Sequence, residues 1–147
     1  MPRTLNVSWD DFEAAFIIGS PDARYFVNVA SGEVLYTSHL DDDQVRTRVL
    51  NRTSGPDWLE IPRSTDGMAE IGAFIAAEPD AAARAALEKS LTLKLPLKQF
   101  MMALAQIEGG RQRWSDARLR AIHGRLLAFC REHDLEVDDD RYRAIVG

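Results

Sequence analysis

The sequence predicts an α+β fold in which a short three-stranded antiparallel sheet packs against four to five α-helices. Three observations support this prediction. Residues 24–38 read RYFVNVASGEVLYTS, two alternating runs joined at a Ser-Gly pair, which is the pattern of a β-hairpin. Residues 58–61 read WLEI and are stopped by Pro62, so they supply the third strand. From Met68 to His133 the apolar residues recur at helical spacing instead.

One helix is predicted before the hairpin and one after it. Ser8 has the side chain of an N-cap, and the acidic residues that follow it favour the helix dipole. Trp9, Phe12 and Phe16 then share one face, which we expect to be buried. Residues 41–51 begin with three aspartates and can form a short helix after the hairpin. The residues expected on its inner face are Val45, Val49 and Leu50.

Four further helices are predicted from residue 64 onward. Ser64 or Thr65 caps the first of them. Pro79 stands in the first turn of the second, and Pro96 opens the third. The last and longest helix runs from residue 111 to residue 133. The residues expected on the buried faces of these four helices are Met68, Ile71, Phe74, Ile75, Ala82, Ala83, Ala86, Leu87, Leu91, Leu97, Phe100, Met101, Leu104, Ile107, Trp114, Leu119, Ile122, Leu126, Phe129 and Cys130.

Length and composition favour one domain. A chain of 147 residues, of which 46% are apolar, is expected to bury a single core. We therefore predict one α+β domain over residues 1–135 and an acidic tail over residues 136–147. Cys130 is the only cysteine, which excludes an internal disulfide and fits a reducing compartment. The apolar runs are too short to span a bilayer, and the first residues lack the apolar segment of a secretory signal. We expect a cytoplasmic protein with no membrane partner.

Charge is distributed unevenly along the chain. The net charge is −5 overall, −8 for residues 1–80, +5 for residues 81–135 and −2 for residues 136–147. The acidic front and the basic back can attract each other within one fold, or the basic part can present a face to an acidic partner. The overall acidity disfavours nucleic acid as that partner.

The main candidate for a binding surface is the arginine-rich face of the last helix. Arg111, Arg118 and Arg125 are spaced by seven residues and share one stripe of the helix. Arg113 and Arg120 form a second stripe. Such a face can be simply the solvated side of an amphipathic helix. Alternatively it binds phosphate or acidic protein groups, to which forked guanidinium groups are well suited.

Reactive and metal-binding residues form no recognisable pattern. Cys130 and His133 share a helix face, but His39 and His123 would have to join them from elsewhere to complete a zinc site. We expect Cys130 to be buried on the apolar stripe, where its thiol is inert. Neither triple-aspartate run has the glycine and glutamate of a calcium loop, and nucleotide-binding and serine-hydrolase patterns are absent. The sequence predicts no cofactor, no metal and no catalytic residue.

Several segments occur in an order that is found in one known family. They are the hairpin YFVNVASGEVLYTS, the strand WLEIP, Pro79-Asp80, an alanine- and leucine-rich helix ending at Leu91, and Lys98-Gln99-Phe100 before a long tryptophan-containing helix. Over residues 16–135 the chain resembles the bacterial uncharacterised protein family 0158 (the UPF series). The resemblance implies a small α+β domain and no particular activity. Residues 92–96, TLKLP, stand where this family tends to have a glycine-containing, arginine-rich stretch.

The sequence therefore predicts a non-catalytic cytoplasmic protein-interaction domain that binds another protein or self-associates through the arginine face. One alternative is association with nucleic acid through the same face, which would weaken steeply with added salt. The second alternative is an enzyme of unrecognised type. An enzyme would have a deep pocket lined by titratable groups with perturbed pKa values.

Overall fold

The structure, a computed structural model, describes residues 2–147 of the chain. Its fold class is α+β, as the sequence predicts. The described residues contain seven helices, whereas the sequence predicts six helical segments, four to five of them packed against the sheet. The described residues also contain five short strands. The elements in chain order are β1 (Arg3–Leu5), α1 (Trp9–Ala14), β2 (Arg24–Asn28), β3 (Val34–Thr37), α2 (Asp43–Arg52), β4 (Trp58–Glu60), α3 (Met68–Ala76), α4 (Ala81–Ser90), α5 (Pro96–Ala105), α6 (Gly110–Glu132), β5 (Leu135–Val137) and α7 (Asp140–Val146).

The contacts between residues divide the chain into two compact units. The sheet unit comprises residues 2–66 and 122–147, and the helical unit comprises residues 67–121. The long helix α6 contributes its first part to the helical unit and the rest to the sheet unit. A division by contacts does not show whether the two units unfold together, as one domain would. The single domain over residues 1–135 therefore stays a prediction.

The hairpin and the third strand are confirmed in the sheet unit. β2 pairs antiparallel with β3 on one side and with β4 on the other, which gives the strand order β3-β2-β4. Tyr25 lies opposite Tyr36, and their rings stack with centroids 5.5 Å apart. Val27, in the centre of the sheet, lies opposite Val34 and Leu59 and is fully buried.

The turn of the hairpin depends on an asparagine and a glycine. The side-chain oxygen of Asn28 accepts the backbone N–H groups of Ala30 and Ser31, each at 2.9 Å. Gly32 then adopts φ of +79°, a conformation that L side chains rarely adopt. A Cβ atom on Gly32 would also lie 1.7 Å from the carbonyl oxygen of Asn6. Only glycine fits this position of the loop.

A second, two-stranded sheet in the same unit was not predicted. β1 pairs parallel with β5, so that Leu5 lies opposite Val137. Both side chains are buried, as is Leu135. The α7 helix that follows buries Tyr142 and packs Ile145 against the same core. The acidic end of the chain is therefore built into the sheet unit from residue 135 onward. No local pattern could indicate the β1–β5 pairing, because each strand has three residues and the partners come from opposite ends of the sequence.

Aromatic side chains of α1 and α6 fill the core of the sheet unit. Phe12 packs edge-on against Phe16 with ring centroids 5.1 Å apart, and Phe16 packs against Phe129 at 5.5 Å. All three rings are buried, and Trp9 is buried beside them. The inner face predicted for the first helix is thus confirmed, as is its N-cap, since the Ser8 hydroxyl accepts the N–H of Asp11.

The core of the helical unit is smaller. Its buried residues are Ile71, Ile75, Leu87, Phe100 and Leu104. Two partly buried aromatic rings complete this core, because Phe74 and Trp114 pack edge-on against Phe100 at 6.2 Å and 5.2 Å between centroids. Trp114 is the only member of this core that α6 contributes.

Two helix starts differ from their predictions. The N-cap of α3 is Gly67, with φ of 84°, and not Ser64 or Thr65. The Ser64 hydroxyl instead accepts the N–H of Ser20 at 2.8 Å, so it serves the loop before the hairpin. The N-cap of α4 is Asp80, and Pro79 therefore precedes the helix. Pro96 stands in the first turn of α5, as predicted.

Several residues predicted to be buried are exposed. In the helical unit these are Met68, Ala82, Ala86, Leu97, Met101 and Leu119. Ile71, Ile75, Leu87, Phe100 and Leu104 on the same predicted faces are buried. In the sheet unit Leu50 of α2 is exposed, and Val45 and Val49 are only half-buried, so α2 has no buried residue. Helical periodicity identifies an apolar face, but the width of that face that becomes buried depends on the elements packed against it.

Candidate protein-interaction surface

An open groove lies between α4 and α5 in the helical unit. Its volume is about 400 Å³, and it reaches the first turn of α6 at Arg111. α4 and the turn after it contribute Lys89 and Leu93, and α5 contributes Met102 together with two alanines and Gln99, while Gln106 follows at the end of α5. The lining includes two cations, Lys89 and Arg111, and no carboxylate. We call this feature the α4–α5 groove.

Exposed apolar side chains are concentrated in the segment that supplies Leu93 and Met102 to this groove. Five large ones fall within ten consecutive residues, with exposed fractions between 40% and 67%. They are Leu93, Leu95, Leu97, Met101 and Met102. Scattered exposed apolar residues are normal on a protein surface, whereas a local concentration marks an interaction site. Methionine suits such a site because its flexible thioether adapts to different partners.

The backbone at Leu95 is strained. Leu95 has φ of 55° and ψ of 61°, the left-handed conformation, and its side chain is 67% exposed. For a residue other than glycine this conformation costs about 1–2 kcal/mol. The next residue, Pro96, adds to the restriction because it disfavours the right-handed helical region for its predecessor. A leucine thus remains in solvent at a position where glycine or asparagine would cost less, and such outliers concentrate at functional sites.

The cations around the groove have no internal counter-ions. From residue 89 to residue 107 the sequence contains Lys89, Lys94 and Lys98 and no aspartate or glutamate. These lysines and Arg111 form no salt bridge with any of residues 2–147. Their charges are therefore available to a partner, unlike those of several other cations of this chain.

Arg125, one of the five arginines predicted to form a binding face, is engaged inside the sheet unit. Its guanidinium donates to the backbone carbonyl oxygens of Phe16, Ile17 and Pro62, with 3.0 Å to the Ile17 oxygen. It also lies 5.9 Å from the centroid of the Phe16 ring. Arg125 thus holds two segments against α6 by hydrogen bonds, the residues that follow α1 and the residues that follow β4.

Arg113 is engaged inside the helical unit. It donates to the carboxylate of Glu78 at 3.0 Å, and the Glu78 side chain is only 5% exposed. Arg113 also donates to the carbonyl oxygen of Glu108 at 3.2 Å. The backbone N–H of Asp80 donates to the same Glu78 carboxylate. This arginine therefore compensates a buried charge, a structural task.

The remaining three arginines are distributed over the helical unit. Arg111 lines the α4–α5 groove, and Arg118 is half-buried. Arg120 lines a second groove of about 450 Å³, together with Arg113 and Trp114. The structure thus brings Arg113 and Arg120 to one groove and Arg111 to another. The single five-arginine face stays a prediction.

Cys130 is buried, as predicted. Burial raises the pKa of its thiol to about 11, and the side chain of Tyr142 is its hydrogen-bonding neighbour. A thiol with so high a pKa is a poor nucleophile. The exposed ring of His133 lies against Phe129 at 4.6 Å between centroids. Over residues 2–147, no three histidine, cysteine or acidic side chains are grouped so that they could hold a metal ion.

None of the helices within residues 2–147 combines the length and the apolar character that a bilayer span requires.

Of the residues that form the α4–α5 groove, the sequence predicts only Arg111 as a binding residue. Leu93 has no predicted role, Met102 lies on no predicted buried face, and Lys89 is not among the predicted binding residues. A signal was present, because residues 91–98 read LTLKLPLK, in which every second residue is leucine, two of the residues between are lysines and none is acidic.

Comparison with protein-family models, with curated proteins and with solved structures gives no match for this chain. The relationship to family 0158 is therefore a proposal, and the function must be argued from the geometry of the chain itself.

Proposed function

We propose that this protein is a non-catalytic protein-interaction domain and that its contact surface is the α4–α5 groove with the exposed leucines and methionines beside it. The single observation that carries the proposal is an apolar groove lined by two cations, Lys89 and Arg111, that form no salt bridge with any of residues 2–147. Apolar contact supplies affinity at such a surface, while unpaired charges at its edge select the partner and its orientation.

The groove offers no reactive arrangement of side chains, because its lining contains no carboxylate, thiol or histidine. Ser90 is the hydroxyl that lines it, and its Oγ is buried and donates to the carbonyl oxygen of Leu87 at 2.5 Å. In the sheet unit, Cys130 is a buried thiol with a raised pKa. Binding without chemistry is the function that these residues support best.

The proposal includes a cytoplasmic location and a relationship to family 0158. The single cysteine supports the location, because a lone thiol fits a reducing compartment. The segment order over residues 16–135 supports the relationship.

A capture experiment tests the proposed surface. The wild-type chain, the double variant Leu93→Glu/Met102→Glu and the control variant Leu40→Glu are immobilised and exposed to a bacterial lysate. Leu40 is the matched control because it is an exposed leucine of the sheet unit. We expect the wild type and Leu40→Glu to retain a common set of proteins that the double variant loses. Circular dichroism spectra of all three must coincide, since every substituted side chain is exposed.

Recovery of the same proteins by all three variants would refute the assignment of the surface. Loss of the same proteins from Leu40→Glu would refute it as well, because the effect would then follow from added negative charge and not from its position.

The other groove of the helical unit does not favour the alternative of nucleic-acid association. Arg113 and Arg120 line it beside the ring of Trp114, but it is also lined by three carboxylates, those of Glu70, Glu78 and Asp116. These carboxylates would repel phosphate groups, and Arg113 is already paired with Glu78.

A further inference from the structure

We infer that the occupant of the α4–α5 groove is an amphipathic α-helix of a partner protein that carries acidic residues beside its apolar face. This inference rests on the proposed function and specifies the chemistry of the partner. It is supported by the composition of the groove, by the type of backbone the groove can accept, and by the charges at its border.

The composition of the groove indicates apolar anchors. Leu93 and Met102 are exposed side chains on its two sides, and alanines at positions 86, 103 and 105 leave room between them. A volume of about 400 Å³ is sufficient for several inserted side chains and lies in the range of binding pockets. Gln99 and Gln106 place polar amides at the border of the groove, where they can face the polar side of a helix.

The groove accepts a helix better than an extended peptide. The helical unit, residues 67–121, contains no strand, so it offers no row of free backbone N–H and C=O groups to an extended chain. An extended peptide in an apolar groove would leave its own backbone groups without hydrogen bonds, which is costly. A helix satisfies its backbone internally and presents only side chains, at spacings of three, four and seven residues.

The charges at the border select acidic side chains. Lys89 and Arg111 line the groove, and Lys94 and Lys98 follow within the acid-free segment. A basic helix would bring like charges together here, which is strongly unfavourable in a desolvated contact. An acidic helix would give these cations the counter-ions that the chain itself does not supply.

The experiment uses the full chain and three synthetic 18-residue helical peptides. The acidic peptide has leucines at helical spacing with glutamates on both flanks. The basic peptide replaces those glutamates with lysines, and the polar peptide keeps the glutamates but replaces the leucines with serines. Fluorescence anisotropy measures the affinity of each peptide for the wild type, for Lys89→Glu/Arg111→Glu, for Lys89→Gln/Arg111→Gln and for the control Leu40→Glu.

We expect the acidic peptide to bind the wild type and Leu40→Glu at least tenfold more tightly than either other peptide. The glutamate double variant should reverse the order of the acidic and basic peptides, and the glutamine double variant should remove the difference between them. Equal binding of acidic and basic peptides to the wild type would overturn the inference, and so would an unchanged order in the glutamate double variant.

Two further outcomes separate this inference from its competitors. The first outcome is a membrane contact. If vesicles of 30% phosphatidylserine in phosphatidylcholine bind the wild type but not Leu93→Glu/Met102→Glu, and if the acidic peptide binds neither, the inference is overturned. If the capture experiment shows loss of partners from that double variant while the peptides show no preference for acid, the proposed function stands and the acidic helix is refuted. Failure of the capture experiment itself refutes the proposed function.

Discussion

The two units of this protein differ in how completely they bury their large apolar side chains and pair their cations. In the sheet unit, a large aromatic core buries Phe12, Phe16 and Phe129, and Arg125 satisfies three backbone carbonyl groups. In the helical unit the buried core consists of five residues. Leu93 and Met102 of its groove are exposed, and the groove cations Lys89 and Arg111 form no salt bridge with any of residues 2–147. A small core buries only part of the apolar faces of its helices. The part that stays exposed is then a surface to which another protein can bind.

The largest effect is expected at the hairpin turn of the sheet unit. Gly32→Ala places a Cβ 1.7 Å from the Asn6 carbonyl oxygen at a φ of +79°, so both sterics and backbone strain oppose it. We expect a loss of about 4 kcal/mol or more in the free energy of unfolding, measured by urea denaturation. Gly55→Ala is the control, because the nearest neighbour of its Cβ is Trp58 at 3.9 Å. Comparable losses in both variants would show that the close approach to Asn6 is not the cause.

The two cores can be compared directly by truncating one buried ring in each. Phe12→Ala in the sheet unit and Phe100→Ala in the helical unit should each cost about 3–5 kcal/mol, because both rings are fully buried. The single-domain prediction expects both variants to unfold in one transition at a lower midpoint. Calorimetry together with circular dichroism is the measurement. Two separate transitions, each sensitive to one substitution, would show that the units unfold independently.

Engaged and free arginines should differ in their contribution to stability. Arg125→Lys keeps the charge but cannot reach three carbonyl oxygens with one ammonium group, so we expect a loss of about 1.5–3 kcal/mol. Arg111→Lys is the matched control on the same helix, and it should change stability by less than about 0.5 kcal/mol. Urea unfolding of both variants measures the difference. If Arg111→Lys costs as much as Arg125→Lys, Arg111 has a structural task that its exposure does not reveal.

The helical unit should tolerate stabilisation at an open glycine. Gly72 lies in the middle of α3, is exposed, and has nothing within 4 Å of the position of a Cβ. Gly72→Ala should therefore raise the free energy of unfolding by about 0.5–1 kcal/mol. Gly110→Ala should have the opposite sign, because its Cβ would lie 2.7 Å from the Leu104 carbonyl oxygen. A thermal melt distinguishes the two, and equal signs would contradict the packing at the α5–α6 turn.

The smallest effect concerns an ion pair of the sheet unit. Arg24 donates to the Glu60 carboxylate at 2.5 Å, and this hydrogen bond lowers the pKa of Glu60 below its usual range. The pair therefore stabilises the folded chain above the ordinary glutamate pKa, and the contribution is lost as the pH falls through the lowered value. Glu60→Gln should remove about 0.2–1 kcal/mol of this acid sensitivity, measured by unfolding at neutral and acidic pH. An identical pH dependence in the variant would exclude the pair as its source.

Local signals in the sequence were sufficient for most elements of the fold. The alternation in residues 24–38 predicted the hairpin, Ser8 and Pro96 predicted two helix starts, and the stripe on the last helix placed Leu126, Phe129 and Cys130 in the core. Each of these features depends on residues a few positions apart, whose spacing sets which side chains share a face.

The candidate site was less accessible to sequence reasoning. The arginine repeat was visible, but Arg113 and Arg125 have structural partners that lie far away in the chain. The groove itself is formed by the last part of α4, by α5 and by Arg111, and its cations were hidden among ordinary surface lysines. A repeat of charges shows where cations lie, whereas their availability depends on which carbonyl and carboxylate groups the fold brings to them.

The sequence by itself determined the α+β class, the strands of the antiparallel sheet and the apolar faces of the helices, because hydrophobic periodicity and capping are properties of neighbouring residues. Only the tertiary structure decided the parallel pairing of β1 with β5, the demand for glycine at position 32 and the exposure of Leu97 and Met101. Those features depend on what another part of the chain places beside a residue. Burial and steric exclusion exist only between surfaces that folding has brought together.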